Sequence, residues 1–95
     1  MKHAVLVHEK KDDVGVAIRD LKTGEEIGIK TLEGNDSGAV KVIEAVPLGH
    51  KVALRDIPEG KDVIKYGRPI GRASRAIASG AHVHIHNLKT KRWTL

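Results

Sequence analysis

Hydrophobic and polar residues alternate with a period of two along most of the chain, which is the spacing of half-buried β-strands. Each alternating segment is short and ends in turn-forming residues, such as those at 34–38 and 47–49. No longer segment carries the apolar stripe of a helix. The predicted strands, after an apolar segment at 4–7, are 14–18, 27–30, 40–43, 52–55 and 82–86. The pattern predicts an all-β domain of short strands.

A second pattern, Arg-x-aliphatic-x-x-Gly-x-x-aliphatic, occurs at residues 19–27, 55–63 and 75–83. We expect its first aliphatic residue to enter the core and its second to begin the next strand. Between them the chain must turn, and glycine supplies the positive φ that a side chain resists. The pattern therefore indicates one folding device used three times, and it names no function.

Composition narrows the class of protein. The 95 residues are close to the size of one domain. Cysteine is absent, so neither a disulfide nor a thiolate ligand contributes. The apolar segment at 4–7 is too short for a secretion signal, and no segment is long enough to cross a bilayer. We expect a single domain spanning 1–95, located in the cytoplasm and without a membrane partner.

The net charge of +5 favours anionic partners. With no Phe, one Trp and one Tyr, the chain has few rings to stack on bases, so no nucleic-acid partner is expected. Most cations are spread along the chain. The basic C-terminal tail, 88–95, is the one cluster, with Lys89, Lys91 and Arg92. We expect this tail to be a solvated end.

Three histidines alternate with aliphatic residues near the C-terminus. If 82–86 is a strand, His82, His84 and His86 share one face, while Val83 and Ile85 face the other way. Residues two apart on a strand lie roughly 7 Å from each other, so these imidazoles can converge on one metal ion. They can also act as acid and base near neutral pH. The spacing alone does not distinguish metal binding, proton transfer and anion binding.

Further donors lie near two glycine-containing segments. His50 and Lys51 follow Gly49 at the start of a predicted strand. Lys65, Tyr66 and Arg72 lie around Gly67 and Gly71, two glycines that we expect to form tight bends. Cationic donors beside such bends can hold a carboxylate, and arginine does so with two parallel hydrogen bonds.

Other polar residues receive no chemical role at this point. The paired carboxylates are read as solvated loop charges, and two histidines that flank the first apolar segment are assigned no role. These residues are Asp12, Asp13, Glu25, Glu26, His3 and His8.

Four short motifs occur in one order: Gly-His-Lys at 49–51, Ile-Lys-Tyr-Gly at 64–67, Ile-Gly-Arg-Ala at 70–73 and His-Val-His-Ile-His-Asn at 82–87. In this order they resemble the N-terminal domain of the altronate and galactarate dehydratases. A similar module forms the free small subunit of sulfolactate sulfo-lyase. The resemblance extends from about residue 5 to residue 89. It implies an antifreeze-like SAF domain with a β-clip fold.

The resemblance also implies an activity. The family's lyases dehydrate sugar acids, often with iron or manganese: a base removes the proton next to the carboxylate, a cation stabilises the enediolate, and an acid assists the leaving hydroxyl. The implied partners are a separate large subunit, without which we expect no activity, and a sugar-acid substrate. Whether the chain also forms a homo-oligomer stays open. Three alternatives stay open: a sulfolactate sulfo-lyase small subunit, a non-catalytic module that binds carbohydrate or protein, and a metal carrier.

Carried onto this sequence, the resemblance implies that one active site is lined by His50, Lys51, Lys65, Tyr66, His84 and His86. We expect the histidines at 50, 84 and 86 to transfer protons, and the lysines and Tyr66 to bind substrate. From its place beside a predicted bend, Arg72 is added as a substrate donor. The metal ligands expected from the strand spacing are His82, His84 and His86.

Overall fold

The computed structural model describes residues 2–90, which form nine β-strands and no helix. The all-β prediction is confirmed. The strands are β1 His3–Val7, β2 Val14–Ala17, β3 Glu26–Thr31, β4 Asp36–Lys41, β5 Lys51–Ala53, β6 Asp62–Lys65, β7 Arg68–Ala73, β8 His82–Val83 and β9 Leu88–Thr90. Within these residues there is no helix long and apolar enough to span a membrane.

The strands form two sheets. The larger sheet has the order β4-β3-β1-β2-β5-β8, and the smaller has the order β6-β7-β9. Strands β1 and β3 pair in parallel, and every other pair of neighbouring strands in the described residues is antiparallel. The buried apolar side chains form two clusters, one from residues 4–52 and one from Val14 with residues 53–83. Strands β2 and β5 contribute to both clusters and so join the two halves of the core.

The glycine-turn device is confirmed, and the structure adds a fourth copy at 46–52 that lacks the leading arginine because Glu44 stands there. In each copy, the residue after the glycine donates its backbone N–H to the carbonyl of the residue three positions earlier. The glycine inside this turn lies in the left-handed region. These glycines are Gly24 at φ 93°, Gly49 at 85°, Gly60 at 85° and Gly80 at 87°. The leading aliphatic residues are all buried and pair through isolated bridges, Leu21 with Val46 and Ile57 with Ile77.

Two expectations about local structure are wrong. Strand β4 begins at Asp36, inside the segment predicted to turn, because a bulge opposite Ile29 places Gly38 in the strand at φ 102°. Gly71 lies within β7 and forms no bend. A Cβ there would stand 2.6 Å from the carbonyl oxygen of Lys89, so this glycine allows β9 to approach closely.

The predicted solvated tail is only partly described. Its first residues, Leu88–Thr90, form strand β9 and pair with β7, so this part of the tail belongs to a sheet. Residues 91–95, which include Lys91 and Arg92, lie outside the described residues.

Candidate functional site

The histidines gather where strands β5 and β8 meet. The antiparallel register pairs Lys51 with Val83, and one further step along the ladder brings His50 opposite His84. Their rings stack with centroids 4.5 Å apart. His50 and His84, 34 positions apart in the sequence, thus face each other because the turns at Gly49 and Gly80 place β5 and β8 side by side.

All four imidazoles implicated by the sequence belong to this histidine cluster, which comprises His50, His82, His84 and His86. His50 Nδ1 lies 2.8 Å from His82 Nε2, a hydrogen bond in which one ring donates and the other accepts according to tautomer. The ring of His82 also lies 5.5 Å from that of His84 and 5.4 Å from that of His86. The predicted convergence of the rings is therefore present.

The local structure behind this convergence differs from the prediction. Strand β8 ends at Val83, and residues 84–87 form a turn. Asn87 closes it: its Oδ1 accepts the backbone N–H of His84 at 3.0 Å, and its Nδ2 donates to the carbonyl of His82 at 2.8 Å. As a result Ile85, which the strand pattern placed opposite the histidines, is 83% exposed.

The electrostatics of the cluster favour a neutral His82. Burial lowers the pKa of its imidazole. The neighbouring rings of His50, His86 and His84 lower that pKa further. Glu44 acts in the opposite direction, and its carboxylate accepts the backbone N–H of His82 at 3.0 Å. A neutral imidazole is the form that can accept a proton or coordinate a metal.

The ring nitrogens that fit one metal ion belong to His50, His82 and His84. One nitrogen from each lies within 4.8 Å of the others. A tetrahedral ion with bonds of about 2.0–2.1 Å needs its nitrogens about 3.4 Å apart, which small side-chain rotations supply. An all-imidazole set suits iron or zinc better than manganese, which prefers oxygen ligands. The donor set therefore fits iron, one of the two metals that the resemblance implies, and includes His50 in the place expected for His86.

A second group of candidate residues forms a separate lysine pocket. Lys65 is only 8% exposed, and its Nζ lies 3.4 Å from the centroid of the Tyr66 ring. The pocket has a volume of about 220 Å³ and is lined by Leu6, His8, Val14, Val16, Leu32, Lys65 and Tyr66. Of the histidines in the described residues, only His8 lines it, and its ring meets that of Tyr66 edge-on with centroids 4.4 Å apart.

The remaining predicted substrate donors occupy different positions. Lys51 is half-buried and pairs in register with Val16, so it lies on the face of the sheet from which Val16 lines the lysine pocket. It follows His50 directly in the sequence, so the strand register turns its side chain to the opposite face from that of His50. Arg72 lies in the smaller sheet, where its Nε is 3.5 Å from the carboxylate of Asp62.

The interpretation of Asp12 and Asp13 as solvated charges is wrong. Asp12 is fully buried and accepts the backbone N–H groups of Tyr66 at 2.9 Å and Gly67 at 3.0 Å. Asp13, which is 3% exposed, accepts an N–H from Ile64 at 2.9 Å. Both carboxylates accept backbone N–H groups of the β6–β7 hairpin, although their loop lies about fifty residues earlier in the sequence. Local sequence patterns do not reveal contacts of this kind.

Sequence reasoning missed three residues that shape these sites. His8 lines the lysine pocket, Asp12 holds its hairpin, and Asn87 orders the histidine turn. Asn87 carried the only local signal, because it ends the histidine motif and asparagine favours turns. His8 and Asp12 reach their partners through tertiary contacts with no spacing to mark them.

Comparison with known proteins agrees with the motif resemblance. The chain is 40% identical over 89 residues to the (2R)-sulfolactate sulfo-lyase subunit alpha of Chromohalobacter salexigens, covering 93% of this chain and 95% of that protein. It is 39% identical over 90 residues to the altronate dehydratase of Bacillus subtilis, covering 95% of this chain. It is 47% identical over 79 residues to the altronate dehydratase of Escherichia coli.

The chain spans only 17% and 15% of the two dehydratases, so it matches a small module of those larger enzymes. The family model described as the altronate/galactarate dehydratase SAF domain matches residues 3–91. With nearly the whole chain matched, this protein belongs to the altronate/galactarate dehydratase SAF domain family.

Proposed function

We propose that this chain is the small subunit of a lyase that removes a leaving group from a sugar acid, acting together with a large subunit. The observation that carries the proposal is the histidine cluster, in which two segments distant in sequence bring four imidazoles together, each with its ring centroid within 5.5 Å of at least one other. Families of this kind act on acids whose reaction requires proton removal next to a carboxylate, and clustered imidazoles suit that step.

His86 is the proton-transfer group in this proposal. Its exposed imidazole takes the proton from the carbon next to the substrate carboxylate. The electron pair of that C–H bond forms a C=C bond as the bond to the leaving group breaks, and the enol product rearranges to a 2-keto acid. A departing hydroxyl receives a proton and leaves as water.

His50, His82 and His84 would hold the divalent ion of the assembled enzyme, and iron is among the metals that imidazole donors suit. When bound, such an ion supplies a positive charge that polarises substrate oxygens. The hydrogen bond between His50 and His82 orients two of these rings beforehand. Asn87 fixes the backbone on both sides of the third ring, so the chain presents its nitrogens in a defined geometry.

The surface around the histidine cluster supports a partner subunit. Ile85, between His84 and His86, is 83% exposed, and Leu48, two residues before His50, is 61% exposed. Two large aliphatic side chains on the loops that carry the histidines are unfavourable in water and suited to burial in an interface. We propose that the large subunit covers this surface and closes the site.

A second candidate activity is that of a sulfolactate sulfo-lyase small subunit, with sulfite as the leaving group. One observation favours it: the chain covers 95% of a protein named as the alpha subunit of that enzyme, whereas it covers 17% of an altronate dehydratase. Both candidates use the same histidine cluster and differ in the group that leaves.

Co-expression with the large subunit from the same organism tests both candidates. We expect formation of a 2-keto acid from altronate or galactarate, or release of sulfite from sulfolactate, only when both chains are present. His86→Ala should lower kcat by about a hundredfold or more, as expected for loss of an acid–base group. His3→Ala is the matched control, because its ring lies in β1 and pairs with Asp36. Full activity of the His86 variant would remove that residue from the mechanism.

A further inference from the structure

The ammonium group of Lys65 lies in a largely apolar environment without an acidic partner. The residue is 8% exposed, and no carboxylate within residues 2–90 forms an ion pair with it. Among residues 2–90, the one close contact that stabilises its charge is with the ring of Tyr66, whose centroid lies 3.4 Å from Lys65 Nζ. A cation–π contact contributes about 0.5–2 kcal/mol, whereas removing an ammonium from water costs several kcal/mol. An anion at this position would offset the difference.

The lysine pocket has room for such an anion. Its volume of about 220 Å³ equals roughly seven water molecules at about 30 Å³ each. Four aliphatic side chains form most of its wall, which excludes water from one side of a bound ligand. These are Leu6, Val14, Val16 and Leu32. A small organic acid fits within this volume.

Two further polar groups border the pocket beside the ammonium. His8 contacts the Tyr66 ring edge-on, and its Nδ1 lies 3.9 Å from the carboxylate of Glu9. The Tyr66 side chain is half exposed, so its ring can close over a ligand's apolar part. The carboxylate of Glu9 also lies beside Gly67, where an added Cβ would stand 2.9 Å from its Oε2.

The backbone of the pocket is held in an unusual conformation. Tyr66 has φ 60°, which is the left-handed region, and it is the only described residue other than glycine with a positive φ. This costs about 1–2 kcal/mol. With Gly67 at φ 69° it forms the two-residue turn of the β6–β7 hairpin, which Asp12 holds through both backbone N–H groups. The hydrogen bonds to Asp12 therefore hold the Tyr66 backbone beside Lys65 before any ligand arrives.

From these contacts we propose that the lysine pocket binds the carboxylate of a small organic acid, with Lys65 as the counter-ion and His8 and Tyr66 as its polar border. The site is separate from the histidine cluster. It requires neither a metal nor a partner subunit, so it does not depend on the lyase proposal. Within an assembled lyase the same pocket would hold the acid end of a substrate or product.

The full chain labelled at its methyl groups allows a direct NMR test. L-lactate is the probe, lactamide is its neutral counterpart, and 2-hydroxyethanesulfonate replaces the carboxylate with a sulfonate. We expect lactate to shift the methyl signals of Leu6, Val14, Val16 and Leu32, with a millimolar dissociation constant, and lactamide to leave them unchanged. A stronger response to the sulfonate than to lactate would overturn the assignment to a carboxylate.

Variants separate the pocket from the cluster. Lys65→Met keeps the length of the side chain and should weaken lactate binding by at least about tenfold. Lys65→Arg keeps the charge and should bind within a few-fold of the wild type. His84→Ala, in the histidine cluster, should bind lactate normally. The inference is overturned if lactate gives no shifts, if lactamide gives the same shifts, or if the shifts move to the histidine turn. Should Lys65→Met fail to fold, the arginine variant and lactamide decide the question.

Discussion

An alanine substitution at Gly80 tests how closely the backbone there packs against residues 41–43, next to the histidine cluster. It lies two residues before His82, at φ 87°, and the Cβ of an alanine there would collide with the carbonyl oxygen of Lys41. The N–H of Ile43 also donates to the carbonyl of Gly80 at 3.0 Å. Gly60 has nearly the same φ, 85°, in an equivalent turn, but an added Cβ meets nothing within 4 Å. Comparison of the two alanine variants therefore separates crowding from backbone conformation.

The expected magnitudes follow from these geometries. A positive φ costs alanine about 1–2 kcal/mol, and alanine recovers about 0.4–1 kcal/mol by restricting the unfolded chain. Gly60→Ala should therefore lower the free energy of unfolding by about 1 kcal/mol. Gly80→Ala must also displace backbone, and crowding of this kind costs about 1–3 kcal/mol more. Its total loss should be about 2–4 kcal/mol.

Urea unfolding followed by circular dichroism measures both values, and an unchanged m-value shows that the unfolded states are comparable. The displaced backbone at Gly80 should also disturb the histidine rings, so their NMR signals should move in Gly80→Ala and stay in place in Gly60→Ala. Equal free-energy losses in the two variants would refute the close approach of Lys41, and the reasoning built on it.

Three further predictions concern the histidine cluster. The purified chain should bind Co²⁺ with visible absorption bands typical of nitrogen ligands, and His50→Ala should abolish them while His3→Ala retains them. Ile85→Ser should weaken association with the proposed large subunit, measured by calorimetry, and change the isolated chain's stability by no more than about 0.5 kcal/mol. Leu32→Ser, an exposed residue outside the histidine cluster, should leave that association intact. Because the pKa of His82 is lowered on folding, the unfolded chain binds more protons in the interval between the folded-state pKa and about 6.5. Its stabilising contribution should be complete above about pH 6.5 and fall as the pH drops through the folded-state pKa; a pH-independent difference between wild type and His82→Ala in unfolding experiments would contradict this.

The sequence predicted the strands whose pattern reflects a single buried face. Val14 and Ile27 begin such segments, and both are buried in strands that lie where they were expected. The turn glycines were also predictable, because these turns need a positive φ and glycine adopts it at the lowest cost. The fourth copy escaped notice only because Glu44 replaces the arginine that marked the others.

The sites were harder to predict because they depend on side chains that bond across the fold. Asn87 converts the end of a predicted strand into a turn through two hydrogen bonds, and alternation of residue types carries no trace of that. Asp12 contacts Tyr66 across 54 positions, so its burial follows from tertiary structure alone. The gathering of His50 with His84 was implied by a family resemblance, whereas its geometric cause, the β5–β8 register, required coordinates.

The histidine cluster joins β5, whose leading turn belongs to the first half of the chain, to β8 from the second half. Two residue pairs of β5 and β8 form this junction, and Ala53 extends it through hydrogen bonds with Gly80 and Ala81, so it is short. A metal ion coordinated by His50 and His84 would stabilise the pairing of β5 with β8, because it would bind the paired strands and not the separated ones. Chelation should then open this junction first, with faster amide exchange at Ala53, whose N–H donates to the carbonyl of Ala81, than at the strands farther from the edge.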